Sequence, residues 1–186
     1  NRRDFLKKAG LAAGALTISA GSMANTAKKK KEEDAPGFFK LKYAPHLGMF
    51  NEHAGNDPID NIKFVNDQGF RAIFDNGLPG KDPIMQEKIA ATLANRNMDM
   101  GPFVAYADFS AITFVDDQPE VRDLIKQKVE EAVAVANRTG AKWALMVPGR
   151  FHDKLAWEYQ TANVINNFRY ACEQLDRLNS DLVIVM

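Results

Sequence analysis

The sequence predicts an α/β fold with a parallel sheet, and three observations carry that prediction. From residue 38 to residue 186, short apolar runs alternate with amphipathic stretches, which is the order of βα units. The apolar runs show little polar alternation, as strands do when both faces of their sheet are covered. Two of the amphipathic stretches open on the same pair, an Asp at the N-cap position and a Pro at the first helical position.

The first strand is expected at Leu41-Lys42-Tyr43-Ala44-Pro45, leading into a loop from His46 to Asn56. Asp57-Pro58 then starts a helix whose buried stripe holds Ile62 and Val65 and which stops at Gly69. Strand two is Arg71-Ala72-Ile73-Phe74, followed by the turn Asp75-Asn76-Gly77. Asp82-Pro83 starts the second helix, with Met85, Ile89 and Leu93 on one face at fourfold spacing. A third strand is expected from Met100 to Tyr106, and Pro119 opens the longest helix, with Val121, Leu124, Ile125, Val129, Ala132, Val133 and Ala136 inward and Gly140 as its end. Strand four is Trp143-Ala144-Leu145-Met146-Val147. The fourth helix carries Val164, Ile165, Phe168, Ala171, Cys172, Leu175 and Leu178, and the run Leu182-Val183-Ile184-Val185-Met186 is a fifth strand.

Two architectures fit this order. A doubly wound sheet normally covers its last strand with a helix, and no helix follows residue 186 here. The pattern therefore predicts the N-terminal part of a (β/α)8 barrel, about five strands and four helices cut off after strand five, since eight units need roughly 250 residues. The alternative is a five-stranded doubly wound parallel sheet.

The segment before residue 38 does not read as fold. Asn1-Arg2-Arg3-Asp4-Phe5-Leu6-Lys7-Lys8 resembles a twin-arginine export motif, and the Ala- and Gly-rich stretch from Ala9 to Ala20 is too short and too weakly apolar to anchor in a bilayer. Ser22-Met23-Ala24 offers small residues for signal peptidase. Residues 1–24 are thus expected to be a cleaved twin-arginine signal peptide, residues 25–37 a charged linker, and residues 38–186 the partial barrel; the protein is expected in the periplasm or otherwise exported by that pathway, with no stable membrane anchor after cleavage.

Charge narrows the partners. The 186 residues hold 24 Lys and Arg against 24 Asp and Glu, and residues 1–24 account for four of the first and one of the second, so the remainder has 20 against 23 and a net charge of −3. A nucleic-acid partner would normally require a basic excess and is not expected. The single Cys172 excludes an intramolecular disulfide framework and is expected as a small buried hydrophobe on its helix stripe.

In either architecture ligands lie beyond the carboxyl ends of the strands. All three histidines fall in the loops there. His46 stands at the end of strand one, to contact substrate or to hydrogen-bond a neighbouring carbonyl. Asp75 ends strand two, to bind a sugar hydroxyl or orient a base, or else to cap the Asp75-Asn76-Gly77 turn. His152 follows Pro148-Gly149-Arg150, for substrate contact or for loop packing, and His53 is expected at the surface. The candidate substrate-binding residues are His46, Asp75 and His152. No dinucleotide, P-loop or Gly-x-Ser-x-Gly motif stands at a strand-to-helix joint.

Leu41-Lys42-Tyr43-Ala44-Pro45-His46-Leu47-Gly48-Met49-Phe50, with Phe74-Asp75-Asn76-Gly77, Val147-Pro148-Gly149 and the closing Leu182 to Met186 run, resembles the hydroxypyruvate isomerase-like branch of the xylose isomerase-like TIM barrels. The resemblance spans about residues 38–186. It implies an exported isomerase or epimerase acting on a small sugar or hydroxy-keto acid, with a divalent metal (Mg, Mn or Co) in the full-length protein. In that family Glu, Asp, His and Glu at the ends of the later strands hold the metal, the first of them just after strand five. The fragment is therefore expected to bind no metal and to be inactive alone, with its catalytic residues unassigned and His46 and Asp75 as substrate contacts. A base and an electrophile are what removal of a carbon-bound proton beside a carbonyl requires, and carboxylates around a metal supply both. The rival expectation is a non-enzymatic periplasmic module that binds a small molecule. Unpaired strand edges in a half barrel also predict self-association, so a homo-oligomer is a possible partner state.

Overall fold

The computed structural model describes residues 39–186. The expected signal peptide (1–24) and charged linker (25–37) lie outside the described residues.

The two Asp-Pro joints form as their chemistry dictates. Asp57 accepts the Ile59 N–H at 2.7 Å and starts α2 (Pro58–Asp67), which follows a short helix α1 (Asn51–Ala54). Asp82 accepts the Ile84 N–H at 2.8 Å and starts α3 (Pro83–Asn95). Each carboxylate satisfies an amide that the helix itself leaves without a partner, worth about 1 kcal/mol. The longest helices are α4 (Pro119–Thr139), closed by Gly140 in the left-handed region at φ 71, and α5 (Trp157–Arg177).

The strands are short: β1 (Ala72–Ile73), β2 (Asp99–Met100), β3 (Phe103–Tyr106), β4 (Trp143–Met146) and β5 (Val183–Val185). All pairing among them is parallel, β1 with β2, β3 with β4 and β4 with β5. A parallel bridge joins His46 to Phe74 at the end of β1, so every neighbour is also the next strand along the chain. A doubly wound sheet needs a switch point where strand order reverses. None occurs among the described residues, and the architecture is the partial (β/α)8 barrel rather than the doubly wound alternative.

Two strand expectations are corrected. The first strand, expected over residues 41–45, shrinks to the bridge at His46, where Leu47 N–H donates to Phe74 O at 2.8 Å and Phe74 N–H to Pro45 O at 3.1 Å. Pro45 has no N–H to extend a ladder, and Leu41 and Tyr43 are exposed, so no burial drives residues 41–44 into regular pairing. The single strand expected from Met100 to Tyr106 is two, β2 and β3, because Gly101-Pro102 interrupts it. Gly101 donates to Ile73 O at 2.6 Å, and a Cβ at this position would stand 2.9 Å from that oxygen and 3.1 Å from Phe74 Cβ. Only glycine allows this approach.

The core lies on the helix side of the sheet. Ile73, Phe103, Ala144 and Met146 point there and are fully buried with Ile62, Ile89, Ile125 and Val129 of the helices. Each such aliphatic or aromatic side chain contributes about 1.5–3 kcal/mol on burial. On the other face Trp143 and Val183 stand opposite one another in register and are 47% and 42% exposed.

Helix α5 departs from its expected stripe. Its buried line holds Gln160, Asn167, Ala171, Gln174 and Leu175, while Ile165, Cys172 and Leu178 are exposed. Asn167 explains the rotation: its amide donates to Phe114 O at 2.9 Å and Asp116 O at 2.8 Å, so loop carbonyls rather than apolar side chains set the inward face. Cys172 is therefore not the buried hydrophobe expected from the sequence. It lines an open groove of about 630 Å³ with Val164, Phe168 and Ile184. Among the described residues no helix is long and apolar enough to cross a membrane.

Candidate functional site

At the carboxyl end of β1 three side chains converge. His46 sits on the parallel bridge, its ring edge-on to Phe74 with centroids 5.0 Å apart. Its Nε2 accepts the Asn76 N–H at 3.3 Å. An accepting Nε2 carries no proton, so the geometry assigns the neutral tautomer with hydrogen on Nδ1. That leaves one ring N–H on a side chain that is 35% exposed.

Asp75 is 2% exposed. Its Oδ1 accepts the Gly77 N–H at 3.0 Å, which is the turn-capping role, and lies 3.9 Å from His46 Nε2. Its Oδ2 accepts no aligned hydrogen bond from a described residue, yet Lys81 Nζ stands 3.2 Å away. The contact is a charge pair rather than a directed bond, and it keeps a buried carboxylate from being an isolated charge.

Sequence reasoning missed Lys81. The 3₁₀ turn Leu78–Gly80 brings it back over Asp75, and buried Gln86 of α3 fixes it there by donating to Leu78 O at 2.9 Å and Lys81 O at 3.0 Å. Gln86 is fixed in turn by Arg138 of α4, whose Nε donates to Gln86 Oε1 at 2.7 Å. A polar residue beside Met85 on the buried side of a helix was the available signal: a buried amide demands partners, and the preceding loop is the nearest source.

His152 belongs to a different structure. Its backbone N–H donates to Gln160 Oε1 at 2.8 Å, and its Nδ1 accepts the Lys154 N–H at 3.1 Å, so the loop-packing role is the one the geometry displays. Its bonds run to Gln160 and Lys154 and not to the His46 and Asp75 pair, and Arg150 beside it pairs with Asp153 at 3.5 Å. His53 is exposed and stacks on Phe64 with centroids 5.9 Å apart.

The loops after β3 and β4 are fastened to each other. Ile112 and Gly149 form an antiparallel bridge, Thr113 Oγ1 donates to Pro148 O at 2.9 Å, and Arg150 N–H donates to Ala111 O at 2.8 Å. Within this clamp Asp108 accepts from the Ser110 hydroxyl and from the Ser110 and Ala111 amides, and these bonds hold its carboxyl below the usual carboxylate range.

The residues present do not fit a metal centre. Asp75 is committed to Gly77 and Lys81, His46 Nε2 to Asn76, and no group of three or more His, Cys, Asp or Glu is placed to hold an ion among the described residues. What the site can do is bind oxygen: it presents an ammonium beside a buried carboxylate, with a half-buried imidazole next to them.

No protein-family model and no curated protein sequence matches the chain. Solved structures do resemble it. AP endonuclease, family 2 from Brucella melitensis superposes with a TM-score of 0.57 at 17% identity, over 77% of this chain and 53% of that one. The 3-keto-D-glucoside 4-epimerase from E. coli gives 0.56 at 13% identity, over 78% and 56%. A sugar phosphate isomerase/epimerase from Parabacteroides distasonis gives 0.52 at 10% identity, over 81% and 51%. The chain spans about half the length of these structures. Their likeness shows the fold: an α/β chain with parallel strands that corresponds to part of a TIM barrel.

Proposed function

We propose that the chain is the N-terminal part of an isomerase or epimerase acting on a small sugar or hydroxy-keto acid, of the hydroxypyruvate isomerase-like type, exported through the twin-arginine pathway. The observation that carries this reading is the His46, Asp75 and Lys81 group at the carboxyl ends of sequentially ordered parallel strands, where barrel enzymes place their chemistry. Fold likeness to proteins named as sugar epimerases supports it. So do the arginine pair and small-residue cleavage site in residues 1–24.

In this reading the chain's own residues bind and orient substrate oxygens. Lys81 donates from its ammonium and His46 from Nδ1, while Asp75 holds the first in place and stands beside the second. A divalent Mg, Mn or Co ion, carried by parts of the full-length protein other than the residues described here, would supply the electrophile that stabilises an enediolate.

The test is an assay of the full-length protein for keto–aldo isomerisation or epimerisation of D-fructose, D-tagatose and hydroxypyruvate, with Mg²⁺, Mn²⁺ or Co²⁺ added in turn. Turnover of one of these is expected. Inactivity on all three with every metal would refute the enzymatic reading, and normal export after changing both Arg2 and Arg3 to Lys would refute the export reading.

A further inference from the structure

We propose that Lys81 is a substrate-contacting residue that donates to an uncharged oxygen of a polyhydroxy ligand, and that its pairing with Asp75 selects such ligands over phosphates and carboxylates. This rests on the small-sugar arm of the proposed function and sets aside its hydroxy-keto acid arm, whose substrates are carboxylates.

Lys81 is positioned as a site residue is. Its carbonyl accepts from Gln86 and its N–H donates to Leu78 O at 3.2 Å, so the backbone cannot swing freely. Its side chain is 28% exposed while that of its partner Asp75 is 3% exposed. An ammonium has three donors, and the undirected pair with Asp75 Oδ2 leaves donors for a ligand. His46 stands beside the pair, its Nε2 3.9 Å from Asp75 Oδ1.

The charge balance then decides which oxygen fits. Lys81 and Asp75 sum to zero, and His46 is neutral. A hydroxyl or carbonyl oxygen can take a free ammonium N–H and leave the ion pair intact. An anion competes with Asp75 for the same ammonium, and drawing Lys81 away would leave a buried carboxylate uncompensated, which is costly.

A second observation points the same way. The loops that follow the strands (47–57, 75–82, 107–118 and 147–156) carry eight Asp or Glu against three Lys or Arg, a net charge of −5. Such a field at the mouth repels anionic ligands and leaves neutral ones unaffected.

The experiment is a titration of the 186-residue chain, followed through backbone ¹⁵N–¹H shifts, with D-fructose, D-fructose 6-phosphate and inorganic phosphate. D-Fructose is expected to move the Asn76, Gly77 and Lys81 amides, and the two phosphates are not. Lys81→Met should abolish the sugar response and Lys81→Arg retain it. Asp75→Asn frees the lysine charge and should tighten inorganic phosphate by about tenfold; should that buried variant fail to fold, the two Lys81 variants decide alone. The proposal is overturned if phosphate shifts these amides at least as tightly as D-fructose, if D-fructose does not shift them, or if Lys81→Met binds the sugar unchanged. An inactive full-length protein whose N-terminal part still shows the sugar response would sink the isomerase reading and leave this one standing; efficient turnover of hydroxypyruvate or a sugar phosphate would do the reverse.

Discussion

Asp75 and Lys81 form an ion pair of 3.2 Å in which only the lysine reaches solvent. Removing either member has unequal consequences. Lys81→Met leaves the buried carboxylate with the Gly77 amide as its one aligned partner, and a loss of about 1–3 kcal/mol is expected. The double variant Asp75→Asn with Lys81→Met should recover part of that loss, because Asn keeps an oxygen for Gly77 and carries no charge to bury. Chemical denaturation of the three variants measures the coupling, and strict additivity would show that the pair does not interact.

Gly149 fastens the loop after β4 to the loop after β3. Its φ is +89, and a Cβ there would stand 2.4 Å from Thr113 Oγ1 and 2.7 Å from Ala111 O. The Thr113 hydroxyl cannot retreat without losing its bond to Pro148 O. Gly149→Ala therefore combines backbone strain with a clash, and a destabilisation of about 2–4 kcal/mol is expected. A thermal unfolding midpoint within a degree of the parent would contradict the clamp.

Gln86 joins three elements through one buried bond, to Leu78 O, and two half-buried bonds, to Lys81 O and from Arg138 Nε. Gln86→Leu keeps the volume and removes all three. The two carbonyls and the Arg138 guanidinium lose their partner, so about 2–3 kcal/mol should be lost. Because Arg138 is half-buried and can turn to water, Arg138→Leu should cost less than Gln86→Leu. Hydrogen exchange should report the Gln86 change first in residues 78–82.

Cys172 is exposed on α5. Its thiol should react with an aromatic disulfide reagent in the native protein at a rate close to that in denaturant. A thiol that becomes reactive only on unfolding would restore the buried position expected from the sequence.

The fold was legible where a residue type has one cheap use. Asp57-Pro58 and Asp82-Pro83 start helices because the carboxylate and the imide ring suit those two positions and few others, and Gly140 ends one at positive φ. The helix face of α4 was legible because its apolar residues outnumber any rival arrangement. Helix α5 was not, since its apolar arc is wider than the surface covering it, and two asparagines, Asn163 and Asn167, chose the orientation by binding the carbonyls of Val115, Phe114 and Asp116. Of the candidate site residues, His46 and Asp75 meet, because adjacent parallel strands end side by side. His152 does not join them, because its own loop satisfies it. Lys81 was invisible for a related reason: an exposed loop lysine carries no pattern, and its role arises only when a turn folds it onto a buried carboxylate.

Asp108 gives the clamp a pH dependence whose sign follows from its bonds. The Ser110 hydroxyl, then the Ser110 and Ala111 amides, favour the ionised carboxylate and hold its pKa below the usual carboxylate range. A group depressed in the folded state adds stability at pH values above its unfolded pKa, and that stability is lost as pH falls through the folded value. Protonation, which in the folded chain needs a pH below the usual carboxylate range, should thus release the Asp108 turn. The expected observation is faster amide exchange, relative to the intrinsic rate, at Ser110 and Ala111 in acid than at neutral pH, with the helix-capping amides Ile59 and Ile84 as internal comparisons. Asp108→Asn keeps an acceptor without the charge, so its exchange at these two amides should be raised at neutral pH and indifferent to acid. Equal protection of Ser110 and Ala111 at pH 7 in parent and variant would show that the charge does not hold the turn.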